Sequence, residues 1–288
     1  MEVLNAVIQG LLIGGLYALF AAGLSLMFGV MRIVNLAHGD LAVVAAFLAL
    51  ALVSGTGLPL LVVVLVTVPL FALLGYLTQR VLLQRSLSSG PLATLLVTFG
   101  LSIVLQNVLL ETFSADTRTL DGGAFGTGSI RLNGDVSIGY LALATFLLAV
   151  LVLIGIQLFL SRTGLGRMLR ASADDRETAG LVGGNPRHIY GIATAIAFAT
   201  VAIAGLMFAM RSSFDPSIGP SRLIFAFEAV VIGGLGSLWG TLVGGVVLGV
   251  TQSLGAQIDP AFTLLAGHLV FLAVLAFRPQ GLIAGRTA

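Results

Sequence analysis

Residues 3–31 read VLNAVIQGLLIGGLYALFAAGLSLMFGVM and contain no charged side chain. An α-helix needs roughly 20 apolar residues to cross the hydrocarbon core of a bilayer, so this stretch is long enough to span a membrane. With histidine counted as neutral, further charge-free runs follow at 41–79, 86–110, 136–161, 188–210, 229–258 and 260–277. These runs predict an all-α integral membrane protein.

The composition excludes several other classes of protein. Of 288 residues, 58% are hydrophobic and only 9% are charged, whereas a soluble globular domain carries about 25% charged residues. A water-soluble enzyme, a disordered chain and a coiled coil are therefore excluded. There is no cysteine, and all 14 basic residues are arginine. Because the phosphate-binding loop GxxxxGK[ST] requires lysine, any nucleotide hydrolysis must be performed by another subunit.

Turn residues divide the apolar runs into individual spans. The cluster Gly55-Thr56-Gly57-Leu58-Pro59 interrupts the run 41–79 and predicts a hairpin of two helices. The predicted spans are 4–28, 38–54, 59–79, 92–112, 139–160, 189–210, 239–256 and 261–277. The short, glycine-interrupted segment 223–238 is a ninth crossing, a half-span or part of a broken helix. We therefore expect a single transmembrane domain over residues 1–288, a polytopic bundle of 8–9 helices with broken or re-entrant segments.

The distribution of arginine predicts the orientation of this bundle. Arginines accumulate in the loop 161–188, in the loop 80–91 and in the tail, and such short basic loops face the cytoplasm. The loop 113–138 contains three aspartates among small polar residues and is predicted to be an external hairpin or irregular cap. Since the formal net charge is only +2 and the arginines lie in loops, we expect the lipid bilayer, and no nucleic acid, as a partner.

The loop 161–188 contains the most informative polar stretch. Ser172 and Asp175 have the spacing of a capping box, which predicts a short helix of about ten residues beginning there. Asp174, Asp175 and Glu177 would lie near its positive end. A helix this short is unstable alone in water, so we expect it to be docked. An ordinary solvated loop and a docking helix for a partner both remain open.

A few polar groups lie close to or within the apolar runs. Asn35, His38 and Asp40 stand between the first two spans, and Glu228 precedes a glycine cluster. A charge at membrane depth costs about 2.5 to 3.5 kcal/mol, so such groups lie near an interface or line a polar path. For all four we leave both roles open. A lone histidine beside one aspartate does not form a metal site, and we expect none.

The glycines and His268 have simpler explanations. Gly233 and Gly234 would allow either an unwound backbone or close helix packing. Small residues recur at helical spacing around Gly10 and Gly14, and again around Gly244 and Gly249, where we expect helix contacts. His268 is expected to be a buried, hydrogen-bonded histidine, with a proton relay as the alternative. No nucleophile and base are paired as a catalytic site requires.

Motifs along most of the chain carry a family resemblance. They include GLYAL at 15–19, GLSLMFGVMRIVNLAHG at 23–39, GLSIVLQN at 100–107, the loop 166–183, FEAVVIGGLGS at 227–237 and RPQGL at 278–282. Together they resemble the LivH-type permease family of branched-chain amino acid ABC importers, and NLAHG at 35–39 is the most specific. The chain departs from the family at Gly184, where isoleucine is usual, and at Glu228, where a small residue is frequent.

The resemblance implies a multi-subunit importer in the bacterial inner membrane. Its other parts would be a LivM-type second permease, two ATP-binding cassette subunits and a periplasmic or lipid-anchored substrate-binding protein. The partners would use ATP and Mg²⁺, and this chain would bind no cofactor. The segment 167–181 would be the coupling helix that fits a groove on an ATPase and transmits nucleotide-driven closure.

The candidate functional residues form two sets. The ATPase-coupling set comprises Arg167, Arg170, Ser172, Asp174, Asp175, Glu177 and Leu181. The translocation-path set comprises Asn35, His38, Glu228, Gly233 and Gly234. Expected substrates are branched-chain or other hydrophobic amino acids, with urea, short amides and aromatic acids as alternatives. A stand-alone proton-coupled transporter, with Asp40, Glu228 or His268 as the relay, is a further alternative.

Overall fold

The structure is a computed structural model that describes residues 2–133, 136–181 and 184–283. Within these ranges the secondary structure is helical except for one small sheet. The helices are α1 (Glu2–Met31), α2 (His38–Thr56), α3 (Leu60–Thr78), α4 (Gln84–Ser88), α5 (Pro91–Phe113), α6 (Gly123–Thr127), α7 (Tyr140–Arg162), α8 (Gly164–Asp174), α9 (Arg176–Leu181), α10 (Pro186–Arg211), α11 (Gly219–Gly233), α12 (Leu238–Ile258) and α13 (Phe262–Phe277). The antiparallel strands β1 (Ser129–Asn133) and β2 (Val136–Gly139) form the sheet.

Seven helical segments in the described ranges are long and apolar enough to cross a membrane: α1, α2, the continuous helix Leu60–Ser88, α5, α7, α10 and α12. The predicted polytopic all-α membrane fold is therefore confirmed. α13 is apolar but has only 16 residues. α11 has 15 residues and rises about 22 Å, which is short of a hydrocarbon core of roughly 30 Å. Segment 223–238 thus comprises most of this short helix and the turn after it.

The sequence correctly predicted the hairpin between α2 and α3, but it did not predict that α3 continues beyond residue 79. α2 ends at Thr56, where Gly57 adopts φ +66° and donates its N–H to Val53 O at 3.0 Å, so the predicted turn is confirmed. The predicted loop 80–91 is wrong, because α3 continues through a π-helical segment, Gln79–Leu83, into α4. No glycine or proline interrupts this stretch before Gly90-Pro91. The arginines therefore lie on the last turns of a helix rather than in a loop.

The predicted external segment 113–138 folds into α6 and the β1–β2 hairpin in its described part, whereas Asp135 lies outside the described residues. Leu120 N donates to Ala209 O at 3.0 Å, and the backbones of Arg118 and Phe214 exchange hydrogen bonds. These bonds attach the segment to the end of α10. Its external location remains a prediction.

α1 forms the centre of the bundle and packs antiparallel to α12. A Cβ atom placed on Gly10 would lie 2.5 Å from Val250 Cα, and one on Gly14 would lie 2.5 Å from Val246 Cα. Gly245 and Gly249 make the same kind of close approach from α12. Because real Cβ atoms do not approach so closely, only glycine allows these two axes to lie together. The prediction that these glycines serve helix contacts is confirmed.

Two helices begin inside the bundle. His38, the first residue of α2, lies beside Phe20 in the middle of α1, with its Nε2 atom 2.9 Å from the Phe20 carbonyl oxygen. The segment 32–37 therefore turns back into the molecule after α1 ends. α11 begins at the same place, since a Cβ on Gly39 would lie 2.0 Å from Gly219 O. The N-termini of α2 and α11 thus meet in the interior. The short α11 agrees with one of the alternatives for segment 223–238, whereas the return of segment 32–37 was not predicted.

Candidate functional site

Asn35 and His38 lie at the point where α2 begins, and both are fully buried. The Asn35 side-chain oxygen accepts a hydrogen bond from Ala37 N at 3.1 Å, and its carbonyl accepts one from His38 N. This arrangement is an Asx turn that leads the chain into α2. The His38 Nε2 atom donates to the Phe20 carbonyl, since a carbonyl oxygen only accepts. Both residues therefore attach the start of α2 to the interior.

Asp40 is the third residue of α2, two residues after His38, and has no exposed surface. Its Oδ2 atom accepts a hydrogen bond of 2.6 Å from the Ser102 hydroxyl on α5, and Gln106 Nε2 donates to that same hydroxyl at 3.1 Å. Its Oδ1 atom faces the start of α11, where a Cβ on Gly219 would lie 2.0 Å away. The carboxylate therefore lies at two helix N-termini, whose partial positive charge stabilises an anion.

One face of α5 consists of small polar side chains that point into the bundle. Thr94, Thr98 and Ser102 follow one another at intervals of four residues and are all buried. The opposite face bears exposed apolar side chains, among them Leu96 and Phe99. α5 therefore contacts the bundle through a polar row that ends at the carboxylate of Asp40. The sequence motif at 100–107 contained this signal as polar residues at helical spacing, but it did not reveal their partner.

Glu228 on α11 and His268 on α13 form a pair that joins the two helices. The Glu228 carboxylate contacts Nδ1 of His268. Glu228 is buried, whereas the His268 side chain is 42% exposed. The prediction that His268 is buried is wrong, because α13 lies at the edge of the bundle and buries only Gly267. His268 nevertheless has the polar partner that was expected.

Tyr17 and Gln252 are two functional candidates that sequence reasoning missed. The Tyr17 hydroxyl on α1 donates to Gln252 Oε1 on α12 at 2.6 Å. The Tyr17 ring lies 5.3 Å from the Phe225 ring between centroids. The Arg222 guanidinium carbon lies 5.4 Å from the centroid of the same Phe225 ring. The only sequence signal was a polar residue inside an apolar run, which does not distinguish a core hydrogen bond from a polar path.

Two partly buried arginines complete this interior cluster. The Arg222 guanidinium carbon lies 4.5 Å from the centroid of the Phe208 ring, a cation–π contact between α11 and α10. The Nη1 atom of Arg211 and the Nε atom of Arg222 are buried and donate to no hydrogen-bond acceptor among the described residues. Positive charge therefore lies where the end of α10 meets the first turn of α11, and buried charges in membrane proteins commonly line a polar path.

Gly233 and Gly234, which follow Glu228, were predicted to allow either an unwound backbone or close helix packing, and the structure shows both. α11 ends at Gly233, and Gly234 has φ +113°, a conformation that favours glycine. A Cβ on Gly233 would lie 2.0 Å from Gly240 O, so the backbone is both unwound and closely packed. Leu282 N donates to Ile232 O and Ile283 N donates to Gly233 O, at 2.9 and 3.0 Å. The end of the RPQGL motif at 278–282 is therefore hydrogen-bonded to the end of α11.

The segment predicted to contact an ATPase forms two consecutive helices, α8 and α9. The predicted helix start at Ser172 is wrong: Thr163 caps α8, its hydroxyl accepting from Gly166 N at 2.9 Å. Ser172 lies inside α8 and is buried, so it faces the protein and not a partner. α8 ends at Asp174, because the backbone of the next residue, Asp175, is extended, with φ −147°.

The other residues of this predicted set have different environments. Arg167, Arg170 and Asp174 lie on one face of α8 and line a cavity beneath it. Asp175 is exposed, and Leu181 at the end of α9 is 87% exposed. The side chain of Glu177 lies outside the described residues. Among the described side chains of this segment, the exposed large apolar residues are Leu165 on α8, at 45%, and Leu181, at 87%.

The sequence of this chain is similar to a known family of membrane proteins. Residues 6–277 match the family model described as branched-chain amino acid transport system / permease component. The chain is 34% identical to the high-affinity branched-chain amino acid transport system permease protein BraD of Pseudomonas aeruginosa, over 97% of this chain and 95% of that protein. It is 27% identical to the corresponding permease protein LivH of Escherichia coli, with the same two coverages.

A shorter match connects the chain to a second kind of permease. It is 34% identical to the permease protein LivM of Escherichia coli, over 50% of this chain and 34% of that protein. The matches to the family model and to BraD, by contrast, each extend over nearly the whole chain. The chain therefore belongs to the family of branched-chain amino acid transport system permease components.

Proposed function

We propose that this multi-pass membrane protein is the transmembrane permease subunit of an ABC importer for branched-chain or other hydrophobic amino acids. The observation that carries this proposal is the family match over residues 6–277, with BraD 34% identical over 97% of the chain. The names of the relatives favour branched-chain amino acids over urea, short amides or aromatic acids. The words transport system and permease component also favour a multi-subunit transporter over a stand-alone proton-coupled one.

The proposal includes the other subunits and their location. A LivM-type chain would form the second half of the permease, since the same family covers both kinds of chain. Two ATP-binding cassette subunits would hydrolyse ATP with Mg²⁺, because this chain contains no lysine for a phosphate-binding loop. A periplasmic or lipid-anchored protein would deliver the substrate. The assembly would lie in the bacterial inner membrane, with the loop 161–188 in the cytoplasm.

The translocation path would run along the junction of α2 and α11. Asn35, His38 and Glu228 are buried polar groups on the elements that meet there, and Gly233 and Gly234 provide the unwound backbone at the C-terminal end of α11. Asp40 belongs with this set because its carboxylate connects α2, α5 and α11. A junction of two helix ends can open without breaking a continuous helix, as a two-state access change requires.

The ATPase would bind the α8–α9 segment, and Leu181 would be the residue that enters its groove. This assignment is supported by the 87% exposure of Leu181 at the end of α9. Replacing Leu181 by aspartate should weaken binding of the ATPase by about 2 kcal/mol, roughly 30-fold in Kd, because a charge would enter an apolar pocket. Leu181→Met should bind as the wild type does. Microscale thermophoresis of detergent-purified permease with labelled ATPase measures both variants.

An identical Kd for Leu181→Asp, in a variant that elutes as a single species, would remove Leu181 from the ATPase contact. The proposed function itself is tested by affinity purification in mild detergent from the native membrane, followed by mass spectrometry. We expect two ATP-binding cassette subunits and a second permease in the purified assembly. Recovery of this chain alone, still active in liposomes, would instead support a stand-alone transporter.

A further inference from the structure

A cavity of about 600 Å³ lies beneath α8. Its walls are the inner end of α1, the last turns of α7, one face of α8 and the turn that precedes α12. The polar and aromatic side chains that line it include Ser25, Gln157, Arg167, Arg170, Asp174 and Trp239. Its volume lies in the range of small-molecule sites, which is about 300 to 1,000 Å³. The cavity is separate from the α2–α11 junction.

The charged residues of this cavity all come from α8. Arg167, Arg170 and Asp174 are spaced three and four residues apart, so they project from the same side of the helix. The ion pairs between described residues are Arg118 with Asp116 and His268 with Glu228, so neither cavity arginine is neutralised in this way. Two guanidinium groups and one carboxylate leave an excess of one positive charge. The planar donors of arginine match the oxygens of a phosphate group.

The surface beside the cavity is apolar. Trp239 is 42% exposed, and Val243, one turn further along α12, is also exposed. On α7 the neighbouring Ile154 and Leu158 are exposed as well. Tryptophan prefers the boundary between headgroups and hydrocarbon. The charged part of a ligand in this cavity would therefore lie among the arginines. The apolar protein surface next to the cavity would suit hydrocarbon chains of the same ligand.

We propose that this cavity binds the headgroup of an anionic phospholipid from the cytoplasmic leaflet. Arg167 and Arg170 hold the phosphate, Asp174 accepts a hydrogen bond from a headgroup hydroxyl, and the acyl chains lie against Trp239 and the exposed residues of α7 and α12. Basic pockets between transmembrane helices on the cytoplasmic side suit such headgroups. Free phosphate shares the same arginine chemistry, but the apolar surface next to the cavity favours a lipid. The bound lipid braces α8 against α1 and α7.

Native mass spectrometry of the purified permease assembly in phosphatidylglycerol and phosphatidylethanolamine nanodiscs tests this site. Wild type should retain phosphatidylglycerol in preference to phosphatidylethanolamine. Arg167→Gln and Arg170→Gln should each lower that retention about fivefold, and the double variant roughly 25-fold. Arg162→Gln and Arg187→Gln are matched controls, because both arginines are exposed near the same end of the molecule but lie outside the cavity. The controls should retain the lipid as wild type does.

Several results would overturn the proposal. Equal retention by wild type and by a folded Arg170→Gln variant would show that the cavity does not hold the lipid. Displacement of the lipid by millimolar inorganic phosphate would identify a soluble anion as the ligand. If the double variant does not fold, the single variants still decide the matter. None of these outcomes depends on the transported substrate, so failure here is distinct from failure of the importer proposal.

Discussion

Replacing Gly14 by leucine is expected to abolish the folded permease. Even a Cβ atom at this position would lie 2.5 Å from Val246 Cα and 2.7 Å from Gly245 O on α12. Overpacking of a well-packed interior costs about 1 to 3 kcal/mol for small insertions, and a whole side chain between two backbones cannot be accommodated. We expect Gly14→Leu to be absent from the membrane fraction and Gly14→Ala to unfold at a lower temperature. Fluorescence-detected thermal unfolding in detergent measures the second effect.

Gly100 provides the matched control for this substitution. It lies in the middle of α5, and a Cβ atom there would meet nothing within 4 Å. Gly100→Ala should therefore leave the unfolding temperature unchanged or raise it, since alanine is favoured over glycine inside a helix by about 1 kcal/mol. If Gly14→Ala were as stable as Gly100→Ala, the close α1–α12 packing would be contradicted.

Replacing Asp40 by alanine is expected to give the second largest effect. The substitution removes the acceptor of the 2.6 Å hydrogen bond from Ser102 and the anion beside the N-terminus of α11. A hydrogen bond to a charged group contributes about 1.5 to 3 kcal/mol, and an anion at a helix N-terminus adds about 0.3 to 1 kcal/mol. We expect the unfolding temperature to fall and substrate uptake by the reconstituted importer to decrease by about tenfold or more.

Ser102→Ala separates the two contributions of Asp40. It removes the same hydrogen bond but leaves the carboxylate at the two helix ends, so its effect on unfolding and uptake should be smaller than that of Asp40→Ala. Uptake equal to wild type from a stable Asp40→Ala permease would exclude this carboxylate from the junction's function. Equal losses in both variants would assign the whole effect to the contact between α2 and α5.

Much of the fold could be predicted because its signals are local. Charge-free runs of span length require only hydrocarbon thickness to interpret, and the turn at 55–59 requires only Gly57 in a left-handed conformation. The glycine spacing around Gly10 and Gly249 similarly indicated close helix contacts. The predicted start of α8 was wrong, because two residues in this region could each cap a helix. Ser172 had a capping-box partner in Asp175, yet the helix begins earlier, capped by Thr163, the residue directly after α7.

The candidate site could be predicted only as separate residues. Tyr17 and Gln252 are 235 positions apart, and Asp40 and Ser102 are 62 apart. Their pairing depends on how the helices are arranged in the membrane, and a single sequence does not contain that information. Glu228 and His268 were each identified as unusual polar residues, but their contact required α11 and α13 to be neighbours. The return of segment 32–37 into the bundle had no local signal beyond the polar residues themselves.

The central claim is that this chain is the permease of an ATP-driven amino acid importer. Its most direct test is uptake of radiolabelled leucine by proteoliposomes that contain this chain with its co-purified subunits and binding protein. We expect uptake only when Mg²⁺ and ATP are supplied to the ATPase side, with isoleucine and valine as competitors and urea without effect. Leucine uptake by the purified chain alone under a proton gradient, without ATP, would contradict the account.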